Sequence, residues 1–201
     1  GKKQICDVHR MKNGNIHFLV IPEAYVENDA RMLDIIAKEE QSHRLLLLQK
    51  SLYRELDILE TDGPLLFIDI PDIFDLDNFV DTNAKLLCMV PFQDPQNLGS
   101  IVRSAAAFRV NNIIITESTV NPFHPRAIRA SSAAVFLCRF FRTKDIDSGL
   151  AFLEAGGYRI AALDKSGAPI DTISPDGPLC LLSGIEGAGL PEKLKSNSWS
   201  I

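Results

Sequence analysis

The sequence of 201 residues lacks the features that define several large classes of protein. No apolar run approaches the roughly 18–20 residues of a membrane-spanning helix, so we predict no membrane span and no membrane partner. No apolar segment follows the N-terminal stretch Gly1-Lys2-Lys3-Gln4, and we therefore expect no secretory signal and a cytoplasmic protein. The four cysteines form no Cys-x-x-Cys pair, which is typical of reduced thiols, and the four histidines are equally scattered. The sequence therefore predicts no metal site.

The composition, with 46% hydrophobic and 23% charged residues, is that of a soluble globular protein. The net charge of −5 is uneven, because the excess of Asp and Glu lies in residues 1–80. The stretch from Arg103 to Lys144 is strongly basic, with Glu117 as its acidic exception. Such a stretch either follows phosphate groups or forms a solvated face with ion pairs to the acidic half, and charge alone leaves both readings open. Its basic residues are Arg103, Arg109, Arg126, Arg129, Arg139, Arg142 and Lys144.

Residues 1–80 read as a small α/β domain. The pattern of apolar residues predicts strands over 16–21, 45–48 and 65–70, and helices over 31–41 and 51–59. The segment 71–83 is acidic and irregular, which is typical of a linker. We therefore place the second domain at 81–201.

The second domain alternates strands and helices more clearly. Strands are predicted over 86–90, 112–116, 159–163 and 179–182, and helices over 97–108, 125–134, 147–155 and 191–196. Gly156-Gly157 is a strong stop signal for the third of these helices. Alternation with fully apolar strands indicates an α/β fold with a parallel sheet covered on both faces. Ligands of such sheets bind beyond the carboxyl ends of the strands, where the loops 91–97, 164–169 and 183–190 are expected.

Residues 94–103 read Asp-Pro-Gln-Asn-Leu-Gly-Ser-Ile-Val-Arg and follow a predicted strand. Asp94 is a good N-cap, and Pro95 then occupies the first helical position, where its missing N–H costs nothing. Gly99 and Arg103 lie four residues apart on one helix face. We expect the bare backbone at Gly99 to leave room for a large polar ligand beside the Arg103 guanidinium.

Residues 183–191 read Ser-Gly-Ile-Glu-Gly-Ala-Gly-Leu-Pro and follow another apolar strand. Three glycines let the backbone turn sharply and approach a ligand closely. The spacing is neither that of a dinucleotide-binding fingerprint nor that of a P-loop. Taken alone, this loop reads as a glycine-rich turn with an exposed Glu186.

The two motifs together resemble those of the SpoU/TrmH branch of the SPOUT RNA methyltransferases. The first motif matches within residues 91–110 and the second within 179–191, and the Arg-Ala-Ser stretch that begins at Arg129 is similar to the segment between them. The resemblance covers residues 84–201. It implies a third motif, a Ser-Leu-Asn segment that opens a final helix, directly after Ser200-Ile201, where the sequence stops. Residues 1–80 are similar to the small ribosomal-protein-like, substrate-binding domain that often precedes the catalytic domain.

The resemblance implies an α/β domain with a C-terminal trefoil knot, which binds S-adenosylmethionine and works as a homodimer. The implied reaction is methyl transfer to a ribose 2′-hydroxyl of ribosomal or transfer RNA. The implied catalytic residues are Asn97, Arg103 and Glu186. The implied cofactor-binding residues are Leu163, Ser183, Gly184, Gly189 and Ile201. We add the arginines Arg109, Arg126 and Arg129 of the basic stretch as candidates for RNA binding.

The role of Arg103 has two readings. The family's proposal is that this arginine accepts the proton of the ribose hydroxyl, but a guanidinium holds its own proton strongly. We favour a clamp on the 3′ phosphate that also stabilises the developing alkoxide, with Asn97 orienting Arg103 or the ribose and Glu186 holding the arginine in place. Two other functions stay open for the chain: a knotted RNA-binding or assembly factor without methyl transfer, and an α/β domain that binds another nucleotide.

Overall fold

The computed structural model describes residues 1–11, 15–79, 86–163, 167–169, 177–184 and 199–200. The chain divides into two compact units, Gly1–Pro71 and Asp72–Ile201.

The first unit is a three-stranded sheet with helices. Its elements are α1 (Lys2–Met11), β1 (Ile16–Pro22), α2 (Ala30–Gln41), β2 (Leu45–Leu48), α3 (Lys50–Leu56) and β3 (Leu65–Ile68). The strand order is β2-β1-β3, with β2 parallel and β3 antiparallel to β1. Leu19 of β1 packs with Ile5 of α1 and with Met32 and Ile35 of α2 in one apolar cluster. The predicted strands and helices are present, although α3 ends at Leu56 and β3 at Ile68, earlier than predicted. Helix α1 was not predicted from the sequence.

The second unit is built on a seven-stranded sheet. Its elements are β4 (Ile73–Asp75), β5 (Leu86–Val90), α4 (Pro95–Ala107), β6 (Asn112–Thr116), α5 (Pro125–Ala130), β7 (Arg139–Thr143), α6 (Ile146–Ala155), β8 (Arg159–Ala162), β9 (Leu179–Leu182) and β10 (Trp199–Ser200). The strand order is β10-β8-β9-β5-β6-β7-β4, and each neighbouring pair is parallel.

Both faces of this sheet are covered, as predicted. On one face, Phe141 of β7 packs in a cluster with Met89 of β5, Ile114 of β6 and Leu153 of α6. Phe140, the preceding residue, points to the opposite face because side chains alternate along a strand. There its ring meets Phe123, directly before α5, with centroids 5.6 Å apart.

The segment predicted as an irregular linker contains strand β4. Ile73 and Phe74 pair with Phe140 and Phe141, and the Arg139 guanidinium lies 5.7 Å from the Phe74 ring centroid and 5.2 Å from that of Phe141. The acidic residues obscured this strand in the sequence. They are tolerated because β4 is an edge strand, whose outer side faces solvent.

The helix predicted over 125–134 ends earlier, at Ala130. Ser132 and Ala133 have φ angles of 54° and 67°, in the left-handed region, which ends a right-handed helix. A short 3₁₀ segment (Ala134–Leu137) follows and leads into β7, which the sequence reading missed. The predicted helix over 191–196 and the predicted knot fall on residues outside those described.

Candidate active site

The three loops expected to form the site leave adjacent strands. Met89 of β5 is paired with Leu182 of β9, and Ala162 of β8 is paired with the same residue. Because these strands are parallel, the residues that follow them emerge at one edge of the sheet. The carboxyl ends of β8, β9 and β5 therefore form a single edge, which we call the carboxyl edge.

Helix α4 begins at this edge as the sequence predicts. The Asp94 carboxylate accepts hydrogen bonds from the backbone N–H groups of Gln96 at 2.8 Å and Asn97 at 2.9 Å, and Pro95 is the first helical residue. Two orphan amides of the first turn are thereby satisfied. The cap fixes Asn97, whose side chain is exposed, in the first turn of the helix.

Gly99 has a different role from the one expected. A Cβ atom at this position would lie 2.5 Å from the Ala127 carbonyl oxygen, 2.8 Å from the Ala130 Cβ and 3.0 Å from the Ser131 nitrogen. The space beside Gly99 is thus filled by α5, and the prediction that it leaves room for a ligand is wrong. Glycine is required here because α4 and α5 approach each other closely.

Arg103 lies one helical turn beyond Gly99 and is exposed. Arg103 follows Asn97 by six residues. In an α-helix this places the two residues about 9 Å apart along the axis and about 120° apart around it. The two residues therefore share a helix but not a face. The Arg103 guanidinium makes no ion pair with a described carboxylate, and Glu186 lies outside the described residues.

Two of the residues predicted to bind the cofactor, Leu163 and Gly184, lie just beyond the ends of adjacent strands. Leu163 follows β8 and is 40% exposed, and its N–H donates to the Leu182 carbonyl at 2.9 Å. Gly184 follows β9 and is half-buried. The candidates Gly189 and Ile201 lie outside the described residues.

Ser183, a third cofactor candidate, uses its side chain within the sheet. It is 3% exposed, and its hydroxyl donates to the Met89 carbonyl at 3.0 Å. Its backbone N–H donates to the same oxygen at 3.2 Å. The hydroxyl proton is therefore committed to β5.

The arginines proposed to bind RNA lie at two edges of the sheet. Arg126 and Arg129 are exposed on α5, which begins at the carboxyl edge after β6. Arg109 follows the end of α4, about 20 Å from its start, since thirteen residues rise 1.5 Å each. None of the three forms an ion pair with a described carboxylate, so the reading of the basic stretch as a face paired with acidic residues is not supported for them.

Thr119 is a residue of this edge that the sequence reading missed. Its hydroxyl donates to the Val90 carbonyl at 3.1 Å and accepts from the Thr116 N–H at 3.0 Å. The next N–H, that of Val120, donates to the Phe92 carbonyl at 3.1 Å. The signal in the sequence is the group of hydroxyl residues at the end of the buried strand β6, namely Thr116, Ser118 and Thr119.

The described residues include free thiols. Cys138 is buried as a thiol, and burial raises its pKa to about 12. No group of three or more potential metal-ligating side chains occurs among the described residues. No described helix is long and apolar enough to cross a membrane.

The sequence profile of the SpoU rRNA Methylase family matches residues 84–199, more than half of the chain. The chain belongs to the SpoU rRNA methylase family. The match covers β5 to β9 and the first residue of β10, and with them the whole carboxyl edge described above. The first unit lies outside it.

Two curated relatives of this SpoU family chain are methyltransferases by name. Over 151 residues it is 34% identical to "Ribosomal RNA small subunit methyltransferase G 2" of Syntrophobacter fumaroxidans, which covers 75% of this chain and 29% of that protein. Over 130 residues it is 29% identical to an "Uncharacterized tRNA/rRNA methyltransferase" of Borreliella burgdorferi, which covers 62% of this chain and 57% of that protein. The chain thus spans 29% and 57% of the lengths of these two relatives.

Solved structures establish the fold. The SpoU methyltransferase AviRb from Streptomyces viridochromogenes, in complex with AdoMet, superposes with a TM-score of 0.75 at 18% identity, covering 100% of this chain and 77% of that one. An rRNA methyltransferase from Sinorhizobium meliloti gives 0.75 at 21% identity, with 100% and 76% covered. These matches confirm the predicted α/β fold with a parallel sheet of the SpoU type.

Proposed function

We propose that this SpoU family protein transfers a methyl group from S-adenosylmethionine to a ribose 2′-hydroxyl of ribosomal or transfer RNA, and that it acts as a homodimer. The observation that carries the proposal is the convergence of three strand ends at the carboxyl edge. Two family motifs widely separated in sequence reach this same edge: one opens α4, and the other runs through β9 to Gly184.

The described residues at this edge fit an adenosine-bearing ligand. Leu163 is 40% exposed and offers an apolar surface on which a base can lie. Gly184, on the neighbouring strand end, has no side chain to cover the backbone, so its N–H and C=O can approach a ligand. We propose that these residues, with Gly189, Ile201 and the backbone of Ser183, hold the cofactor. Similar proteins have been solved with AdoMet bound, AviRb among them.

S-adenosylmethionine supplies a methyl group already activated on a sulfonium. What the chain must supply is an oriented ribose and stabilisation of the charge that develops on its 2′-oxygen. We assign the second task to Arg103, because a guanidinium keeps its positive charge and donates several hydrogen bonds to phosphate or alkoxide oxygens. Because Asn97 and Arg103 do not share a helix face, we propose that Asn97 orients the ribose and that Glu186 holds the arginine in place.

Calorimetric titration of the full-length protein with S-adenosylmethionine, together with a methyl-transfer assay on RNA from cells that lack the protein, tests the proposal. We expect saturable cofactor binding and methyl incorporation into RNA. Arg103→Ala is expected to lower transfer by about 10² or more while cofactor affinity and the circular dichroism spectrum are retained. Arg103→Lys, which keeps the charge but loses the planar fork, should retain part of the activity.

Two outcomes would redirect the proposal. Tight RNA binding without cofactor binding favours the alternative of a knotted RNA-binding or assembly factor. Full transfer by Arg103→Ala would contradict the role of Arg103 and leave the methyl-transfer proposal intact.

A further inference from the structure

Two hydroxyl groups hold the end of the central strand β5 from its two sides. The Thr119 hydroxyl, beyond β6, donates to the Val90 carbonyl at 3.1 Å. The Ser183 hydroxyl, beyond β9, donates to the Met89 carbonyl at 3.0 Å. We call these two hydroxyls and two carbonyls the β5 clasp. Its members come from three different segments of the chain, and all of them lie at the carboxyl end of β5.

Three members of the β5 clasp are buried, and Thr119 is half-buried. Met89 and Val90 are fully buried, and Ser183 is 3% exposed. A carbonyl in such a place needs a partner from the protein, because water does not reach it easily. The Thr119 hydroxyl provides such a partner for the Val90 carbonyl. The Met89 carbonyl accepts from both the N–H and the hydroxyl of Ser183, so the hydroxyl adds a second hydrogen bond to this oxygen.

The β5 clasp also joins the two motifs of the proposed active site. On one side, Val120 N–H donates to the Phe92 carbonyl, so the clasp continues along the short loop that leads to Asp94 and α4. On the other side, Gly184 directly follows Ser183 and begins the glycine-rich loop. A shift at Met89 or Val90 would therefore move the start of α4 relative to that loop.

We propose that Thr119 and Ser183 are positioning residues for methyl transfer, which set the helix that carries Asn97 and Arg103 against the loop that begins at Gly184. The inference rests on the proposed function. It predicts that the two hydroxyls affect the rate of the chemical step more than the binding of either substrate, because misplacing reacting groups by a fraction of an ångström lowers kcat.

The substitutions Thr119→Val and Ser183→Ala each remove one hydroxyl with little change in shape. We expect each to lower kcat roughly 10- to 100-fold, with less than about a threefold change in the dissociation constant for S-adenosylmethionine and in KM for RNA. Thr119→Ser keeps the hydroxyl and should restore most of kcat.

Thr143→Val is the matched control, since Thr143 is a threonine whose hydroxyl, like that of Thr119, donates to a backbone carbonyl (that of Asp145, at 3.4 Å). It ends β7, which is separated from β5 by β6. Its kcat should stay within about twofold of the wild-type value. If Thr119→Val and Thr143→Val lower kcat equally, or if Thr119→Val has wild-type kcat, the positioning role is overturned.

Amide hydrogen exchange of the protein without cofactor gives a readout that is independent of activity. We expect faster exchange at the Val120 amide in Thr119→Val and at the Ser183 amide in Ser183→Ala, and wild-type exchange in Thr119→Ser. Unchanged exchange in both variants would overturn the β5 clasp itself. A wild-type protein that transfers no methyl group would instead overturn the proposed function, while the exchange result would still decide whether the hydroxyls hold β5.

Discussion

Glu27 shows how a single carboxylate is stabilised in the first unit. Its side chain is 3% exposed and receives hydrogen bonds from Lys2 Nζ at 3.0 Å, from the N–H groups of Asn28 at 2.8 Å and Asp29 at 2.9 Å, and from the Tyr25 hydroxyl. Burial alone would raise the pKa of Glu27, but these hydrogen bonds outweigh it and lower the pKa to about 2. The ionised form is therefore part of the folded structure.

The depressed pKa of Glu27 fixes the direction of a pH effect. A carboxyl with a lower pKa in the folded than in the unfolded state stabilises the fold above its ordinary value of 4.5, and this contribution is lost as the pH falls toward about 2. We expect Glu27→Gln to lower the free energy of unfolding at pH 7 by about 1–3 kcal/mol. The difference from wild type should shrink between pH 4.5 and 2, as measured by urea unfolding at several pH values.

Glu23→Gln is the control, because the Glu23 side chain is exposed. It should change stability by less than about 0.5 kcal/mol at any of these pH values. A Glu27→Gln variant as stable as wild type at pH 7 would contradict the structural role given to this carboxylate.

The contact between α4 and α5 is the element-scale feature that most depends on one residue type. Gly99→Ala would bring a Cβ atom to 2.5 Å from a backbone oxygen of α5, so one of the two helices must shift. We expect a loss of about 1–3 kcal/mol from overpacking, despite the gain of up to about 1 kcal/mol that alanine brings to a helix. Thermal unfolding measured by circular dichroism checks this.

Gly149→Ala in α6 is a matched substitution of a helical glycine. The nearest atom there is the Met89 methyl carbon, at 2.7 Å, which is the flexible end of a side chain and can move aside. The loss of stability should therefore be smaller than for Gly99→Ala. The reverse order would contradict the close packing of α4 on α5.

Capping and periodicity made many of these elements predictable. The Asp94 cap and the glycine stop were read correctly, and Gly157 indeed has a positive φ of 75° just beyond α6. Other elements were hidden because their residues contradict local preference. Strand β4 is only three residues long and lies in an acidic segment, and β7 contains two arginines among its five residues. Helix α5 stops where Ser132 and Ala133 adopt positive φ angles without glycine.

The site was predictable in its strand ends but not in its side-chain contacts. The sequence could indicate which loops meet, because parallel strands bring their carboxyl ends together. It could not show that Gly99 faces another helix, or that the Ser183 hydroxyl is committed to β5, since both depend on distances across the fold. The hydroxyl of Thr119 was missed for the same reason.

The two units differ in the ion pairs that some of their basic side chains form. In the first unit, Lys2, Arg31 and Arg44 are each bound to a carboxylate of the same unit. In the second unit, Arg126 and Arg129 at the carboxyl edge are exposed and make no ion pair with a described carboxylate. Arginines that no described carboxylate pairs, beside the proposed active site, support the proposal that they bind the RNA backbone, whose binding releases counterions.

The double substitution Arg126→Gln and Arg129→Gln tests this charge distribution. RNA affinity should fall, and the slope of log affinity against log salt should decrease by about 1 for each arginine that contacts a phosphate. Arg31→Gln, whose charge is already paired with Asp29, is the control and should leave the slope unchanged. An equal loss of slope on Arg109→Gln would instead indicate that RNA also follows the opposite edge of the sheet.

The position of the transferred methyl group tests the central proposal most directly. RNA from cells lacking the protein would be incubated with the full-length protein and S-adenosylmethionine, digested to nucleosides and analysed by fragmentation mass spectrometry. We expect the added methyl group to stay with the ribose fragment and Arg103→Ala to remove that signal. A methyl group found on the base, or no methylated nucleoside despite saturable cofactor binding, would contradict the proposed ribose 2′-hydroxyl chemistry.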